Sequence, residues 1–185
     1  MSGTIVWFRR DLRLQDNPAL SAAVERGGFI IPIYIFDKEG EGRWSAGAAS
    51  RWWLHHSLAR LDESLRERGS QLLLAVGASA AVLRPLIRKT GATAVHWNRC
   101  YEPAIIARDK KIKTELTIDG IETKSFNAAL LFEPHTVRNK TGGPFQVFTP
   151  YWKHCLSLSV EAPVKMAKAT TLASPPKWPL GVTLG

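Results

Sequence analysis

The sequence predicts an α/β protein: a five-stranded, mostly parallel, doubly wound (Rossmann-like) sheet with helices on both faces. Three observations carry this. Short β-branched and aromatic runs recur up to about residue 128. Stretches with apolar residues at helical spacing separate them. Strands that alternate with helices at this rhythm need crossover connections, which a largely parallel sheet accommodates.

Each element has its own local reason. Thr4 to Phe8 (TIVWF) is β-branched and aromatic throughout and reads as the first strand. Asp16-Asn17-Pro18 offers an N-cap, with Asp16 as the expected capping residue, followed by proline at the first helical position; Gly27-Gly28 stops that helix. Phe29 to Phe36 (FIIPIYIF) is nearly continuous in apolar residues, as a strand covered on both faces should be. Pro32 removes one ladder donor from it. Leu54, Leu58, Leu61 and Leu65 form one helical stripe within Ala46 to Arg68, which Gly69 ends. Leu72 to Val76 is the third strand. Ala78 to Lys89 is a helix turning Val82, Leu83, Leu86 and Ile87 inward, with Pro85 as a potential kink. Thr93 to Trp97 is the fourth strand, Pro103 opens a helix running to about Thr117, and Ile121 to Phe126 is the fifth strand. Beyond residue 128 the character changes. Asn139 to Gly143 (NKTGG) is a turn between irregular stretches. After Ser159 the chain is rich in Ala, Thr, Lys and Pro and is expected to bury too little apolar surface to order itself.

A chain of 185 residues suits one domain, and 45% hydrophobic residues suffice for a packed core. The formal net charge of +9 favours a polyanion partner through counterion release, although a generally basic, soluble surface accounts for it equally well. Two cysteines, Cys100 and Cys155, make no disulfide framework and no metal pair, so a reducing cytoplasm is the expected location. The opening MSGTIVWFRRD lacks a signal-peptide pattern, and no run approaches the roughly 18 apolar residues of a membrane span.

The loops after strands one, two and four fall at the carboxyl rim of such a sheet, where ligands bind. They bring Arg9, Arg10 and Asp11, then Asp37, then Asn98 to Glu102. Arg10, Asp11 and Arg13 read equally well as ion pairs pinning the first loop. Trp52 and Trp53 read as core or domain-interface packing. His55 and His56 project about 100° apart on a helix and make no metal pair. Phe148, Pro150, Tyr151 and Trp152 form an aromatic cluster expected to stay partly exposed.

Several segments carry a resemblance. WFRRDLRLQDNPAL (7–20), SRWWLHHSLARLDESL (50–65), WNRCYEP (97–103), SFNAALLFEP (125–134) and GGPFQVFTPYWKHCL (142–156) occur in the order found in the DNA photolyase/cryptochrome family. The sequence resembles that family's amino-terminal α/β domain over nearly everything up to residue 160. The resemblance implies an antenna pigment at the rim, which absorbs light and passes excitation to a flavin. By position it implies Arg10, Asp37, Ala48, Arg51, Asn98 and Glu102 as pigment-binding residues, with no catalytic or metal-ligating residue in this chain.

Methenyltetrahydrofolate, a deazaflavin and FMN all remain open as the pigment. Folate-binding members tend to carry a histidine in the loop before the SRWW segment, and here that loop reads RWSAGAA; deazaflavin-binding members tend to carry an acidic residue where Cys100 stands. The resemblance further implies FAD in a carboxy-terminal helical domain, which no stretch here resembles. The expected limits are therefore 1–130 for the α/β domain, 131–160 for an irregular extension and 161–185 for an interdomain linker. The expected partners are the flavin-binding domain, toward which the 148–152 cluster leads, and DNA through the full-length protein. Alone, the chain is expected to show no repair; a cryptochrome photoreceptor is the alternative parent, and an unrelated α/β nucleotide- or flavin-binding protein the second alternative.

Overall fold

A continuous run of small, β-branched and aromatic residues, Gly3–Phe8, forms β1 at the centre of the sheet in the computed structural model, which describes residues 2–38, 46–165 and 171–181. The remaining strands are β2 (Phe29–Phe36), β3 (Leu73–Val76), β4 (Ala94–Asn98) and β5 (Glu122–Phe126). Their spatial order is β3-β2-β1-β4-β5, and every pairing is parallel. The sheet expected to be mostly parallel is therefore wholly so. Helices α1 (Pro18–Arg26), α2 (Ala48–Arg66), α3 (Ser79–Thr90) and α4 (Pro103–Ile118) connect the strands.

Alternation along β1 decides the two cores. Ile5 and Trp7 face Leu83, Leu86, Ile112 and Leu116 of α3 and α4, while Val6 and Phe8 face Leu20, Leu61 and Leu65 of α1 and α2. Helices thus cover both faces, which explains why β2 is apolar throughout. Pro32 is tolerated for a local reason. Ile30 donates its N–H to the carbonyl of Ala173 on the side away from β1 at 2.8 Å, so the nitrogen of Pro32, two residues on, faces the same side. β3 joins only from Ile33 onward, leaving no ladder bond there to lose.

Asn17, not Asp16, caps α1: its Oδ1 accepts from the Leu20 N–H at 3.1 Å. Asp16 instead sits at φ 50 in the left-handed region. From there its N–H donates to the Val164 carbonyl at 3.1 Å, and its carboxylate accepts the Val164 N–H at 3.0 Å. Arg13 reaches the Ala128 carbonyl at 2.9 Å from the same loop. The chain divides into two compact units, the sheet unit up to Ala128 and again from Val164, and a second unit of Ala129–Pro163.

The second unit is not wholly irregular. Within it Phe148–Leu156 forms α5, on which the Phe148 and Trp152 rings stack at 6.2 Å and both stay exposed. Asn139 organises the expected turn, its Oδ1 accepting from the N–H groups of Thr141 (3.0 Å) and Gly143 (2.9 Å).

Parts of the stretch expected to remain unordered pack on the sheet unit, although residues 160–165 are exposed; residues 166–170 and 182–185 of it lie outside the described residues. Leu172 is 1% exposed beneath α2, its N–H donates to the Arg68 carbonyl at 2.8 Å, and Trp178 rests on the opposite core. Sparse apolar residues suffice because each finds a slot already built by the sheet. Among the described residues no helix is long and apolar enough to cross a membrane.

Two predictions follow from this packing. Leu172→Ala should lower the unfolding free energy by about 2–4 kcal/mol through transfer and cavity terms, while Leu180→Ala, at a 93% exposed position, should leave urea unfolding unchanged. The second concerns pH. Burial pushes the His96 imidazole below its ordinary 6.5, with Ala19 and Glu122 opposing; salt-linked Lys124 and Arg26 hold the Glu122 carboxyl down at about 2. Both groups bind protons less readily folded than unfolded, so both contribute stability that is complete at high pH and lost on acidification. The thermal midpoint should fall in two stages, below pH 6.5 and again below 4.5 toward about 2. His96→Gln should abolish the first stage and Glu122→Gln the second.

Candidate functional site

The strand order places a topological switch beside β1: β2 lies on one side of it and β4 on the other, so their carboxyl ends diverge into a crevice. A chain of polar contacts fills the floor of that crevice. Asn98, 3% exposed at the end of β4, accepts from the Ala19 N–H at 3.1 Å and donates to Asn17 Oδ1 at 2.8 Å and to the Asp11 carboxylate. Asp11 also accepts the Arg9 N–H at 2.9 Å. The Arg9 guanidinium is buried and bonds both the Asn98 carbonyl and Asp109. Asp109 in turn accepts from Arg108 at 2.9 Å, and Arg108 reaches Asp37 at 3.5 Å. Asp37 accepts the Ser79 N–H at 2.9 Å, so it serves the amino-terminus of α3. The guanidinium carbons of Arg9 and Arg108 each lie 5.0 Å from the centre of the Trp7 ring.

Above this floor the rim is open. Arg10, exposed, pairs with Glu102 at the amino-terminal cap position of α4. Cys100 lies beside them; burial pushes its thiol above the ordinary range, so it stays protonated and is not an activated nucleophile.

Two cavities meet along this rim, and Arg9, Arg10 and Tyr34 line both. A recess of about 50 Å³ lies between the strand ends, lined also by Trp7, Asp37 and Arg108. A groove of about 1050 Å³ runs between the loop after β1 and α2, with Arg13, Trp53, His56 and Arg60 on its walls.

The residues singled out from sequence therefore divide. Arg10, Asp37 and Glu102 gather at one edge, the first two lining the recess. Asn98 is turned into the buried network and lines neither cavity. Ala48 and Arg51 stand exposed on the first turn of α2, beside Ala46, Gly47 and Ser50 of the groove wall, and Arg51 donates to the Ala46 carbonyl at 2.8 Å. The part of that loop from residue 43 to 45 lies outside the described residues. Trp52 and Trp53, read as core or interface packing, are 63% and 69% exposed, which removes the core reading; Trp53 forms part of the groove. Sequence reasoning missed Arg108 and Asp109, since ARDKKIK reads as a solvated charge run. The one available signal was that Ile105, Ile112 and Leu116 place Asp109 on the buried stripe of α4.

The pigment implied by the resemblance can be set against these volumes. Pockets for ligands of its size occupy about 300–1,000 Å³. The recess admits no tricyclic ring, because Arg9, Arg108 and Trp7 already fill the slot. The groove is large enough and offers a flat indole face with several guanidiniums, so the fit is to the groove with one edge at the recess.

Comparisons with known proteins agree with one another. The family profile described as DNA photolyase matches residues 4–170. A deoxyribodipyrimidine photo-lyase of Agrobacterium fabrum is 47% identical over 175 residues, covering 95% of this chain and 36% of that protein. Cryptochrome-1 of Arabidopsis thaliana is 46% identical over 156 residues, covering 84% of this chain and 23% of that protein. The crystal structure of a bacterial class III photolyase from Agrobacterium tumefaciens superposes with a TM-score of 0.91 at 45% identity, over 99% of this chain and 37% of that one. The chain spans about a third of the length of these Agrobacterium relatives.

Asn98 is where the floor network is most exposed to test. Asn98→Ala leaves the Ala19 N–H and the Asp11 carboxylate without their buried partner, which should cost roughly 3 kcal/mol in urea unfolding. Ala48→Ser on the exposed turn should stay within about 0.5 kcal/mol.

Proposed function

Because this chain belongs to the DNA photolyase family, matched over residues 4–170 and 47% identical to one photo-lyase, we propose that it is the antenna-bearing α/β domain of a light-dependent DNA-repair photolyase. The observation that carries the reading is the meeting of the Arg10–Glu102 rim with a groove of about 1050 Å³. A planar pigment in that groove would stack on Trp53, while Arg13 and Arg60 would face its acidic substituents. Glu102 would accept from ring N–H groups at the rim, and Ala48 and Arg51 would flank it from α2. Bound there, the pigment supplies light absorption and transfers excitation to a flavin. Methenyltetrahydrofolate, a deazaflavin and FMN are the candidates.

FAD and the DNA lesion are assigned to a further flavin-binding domain of the kind that the longer relatives leave room for. The net charge of +9 supports DNA as the partner of the two together. Photolyases act on a flipped base, and the chemistry of dimer splitting belongs to the flavin side. A cryptochrome photoreceptor is the second reading, favoured by the 46% identity to Cryptochrome-1 of Arabidopsis thaliana.

Reconstitution with each pigment followed by gel filtration tests the first reading. One pigment should co-elute, and Glu102→Ala should weaken its retention at least tenfold. The Arg10–Glu102 pair is largely exposed and contributes at most about 1 kcal/mol to stability, so the variant should unfold almost as the parent does. Elution of all three pigments as free molecules would refute the antenna role. Joined to a flavin domain, repair of dimer-containing DNA in light would decide photolyase against cryptochrome.

A further inference from the structure

The outermost strand β5 and the flank of α4 beside it form a surface rich in donors. Glu122 gives its N–H to the Thr93 carbonyl at 3.0 Å, and the Phe126 carbonyl takes the Arg99 N–H at 2.7 Å, so both residues turn their backbone groups toward β4. Alternation then points the N–H groups of Thr123 and Ser125 outward at the sheet edge. Of the two carbonyls turned the same way, that of Ser125 already accepts from the Arg99 guanidinium at 2.6 Å. The Thr117 hydroxyl donates to the Lys113 carbonyl at 2.8 Å and lies 3.3 Å from the Thr123 hydroxyl. The flank of α4 that carries Lys110, Lys113 and Thr117 therefore runs along β5, and both lysines are exposed.

Charge on α4 is sorted by side. Glu115 and Asp119 lie on the opposite flank, where Arg84 of α3 answers them at 3.6 and 3.0 Å. Asp109 is buried against Arg9 and Arg108, and on β5 Glu122 is held by Arg26 and Lys124. Lys110 and Lys113 pair with no carboxylate among the described residues. Two lysines without counter-charge, beside outward N–H groups and an arginine, are a donor set suited to phosphate oxygens.

We propose that this α4–β5 ridge is a phosphate-backbone contact for duplex DNA. An acidic strand added to β5 is the rival occupant, but it needs edge carbonyls as well as N–H groups, and Arg99 has taken one of them. A phosphate backbone only accepts. The ridge lies apart from the groove walled by α2 and places a share of DNA affinity on this domain, independent of base sequence and of any lesion. The inference rests on the DNA-repair reading for the identity of the polyanion.

The test is fluorescence anisotropy of a short labelled, undamaged duplex titrated with the chain across a range of salt. In Lys110→Gln/Lys113→Gln the slope of log affinity against log salt should become shallower by about 1.8, two phosphate contacts at about 0.9 each. Arg88→Gln/Lys89→Gln removes the same charge from exposed positions at the end of α3 and should leave the slope as it is. All four residues are exposed, so neither pair of changes should alter urea unfolding. Equal loss of slope in both double variants, or none in the first, overturns the ridge. So does polyglutamate displacing the labelled duplex as readily as unlabelled DNA at equal charge. The repair reading fails separately: a slope lost only with Lys110 and Lys113, in a chain that repairs no dimers once joined to a flavin domain, upholds the ridge and removes that reading. Repair by a joined protein whose duplex binding ignores both lysines does the reverse.

Discussion

The fixed point of this molecule is the buried Arg9 guanidinium, bonded at once to the carbonyl of Asn98 and to the carboxylate of Asp109. It joins the ends of the two strands that part at the switch point and fastens α4 across them. Through Asp109, Arg108 and Asp37 the same string of charges reaches β2 and the start of α3. Buried ion pairs add little net stability over a well-packed apolar alternative, yet removing one partner is costly, since it strands the other charge out of water. Their effect is to allow one arrangement of these loops and penalise the rest. The open rim with Arg10 and Glu102 sits on that rigid floor.

Where the sequence was legible, local chemistry and tertiary demand pointed the same way. Phe29–Phe36 could only be a strand with both faces covered, and Asn17-Pro18 could only begin a helix; the shift of the cap from Asp16 to Asn17 is one residue, the usual uncertainty of helix ends. The parallel sheet and its rim followed from the rhythm of these elements.

What stayed hidden depended on partners distant in sequence. FTPYWKHCL carries aromatic residues, a threonine and Pro150 in place of strong helix formers, and α5 forms there regardless. Leu172 and Trp178 are isolated in a polar stretch, and only the finished cores provide their slots. Arg108 and Asp109 look like solvent charges until α4 is laid against β1. The groove is similar: Trp53 reads as core on its leucine stripe, and its exposure emerges only once Leu54 and Leu58 are seen to take the inward side. Site residues argued from position alone fared according to depth, with Arg10 and Glu102 at the surface and Asn98 consumed by the framework.

The left-handed residue Asp16 grips Val164 by two hydrogen bonds, while Arg13, three positions earlier, holds the carbonyl of Ala128. Residues 129–163 consequently leave the sheet unit and rejoin it at a single doorway built from one short turn. Doubling the length of this excursion would add only about 0.6 kcal/mol of closure entropy. A longer or shorter excursion between these two anchors would change the closure entropy only slowly.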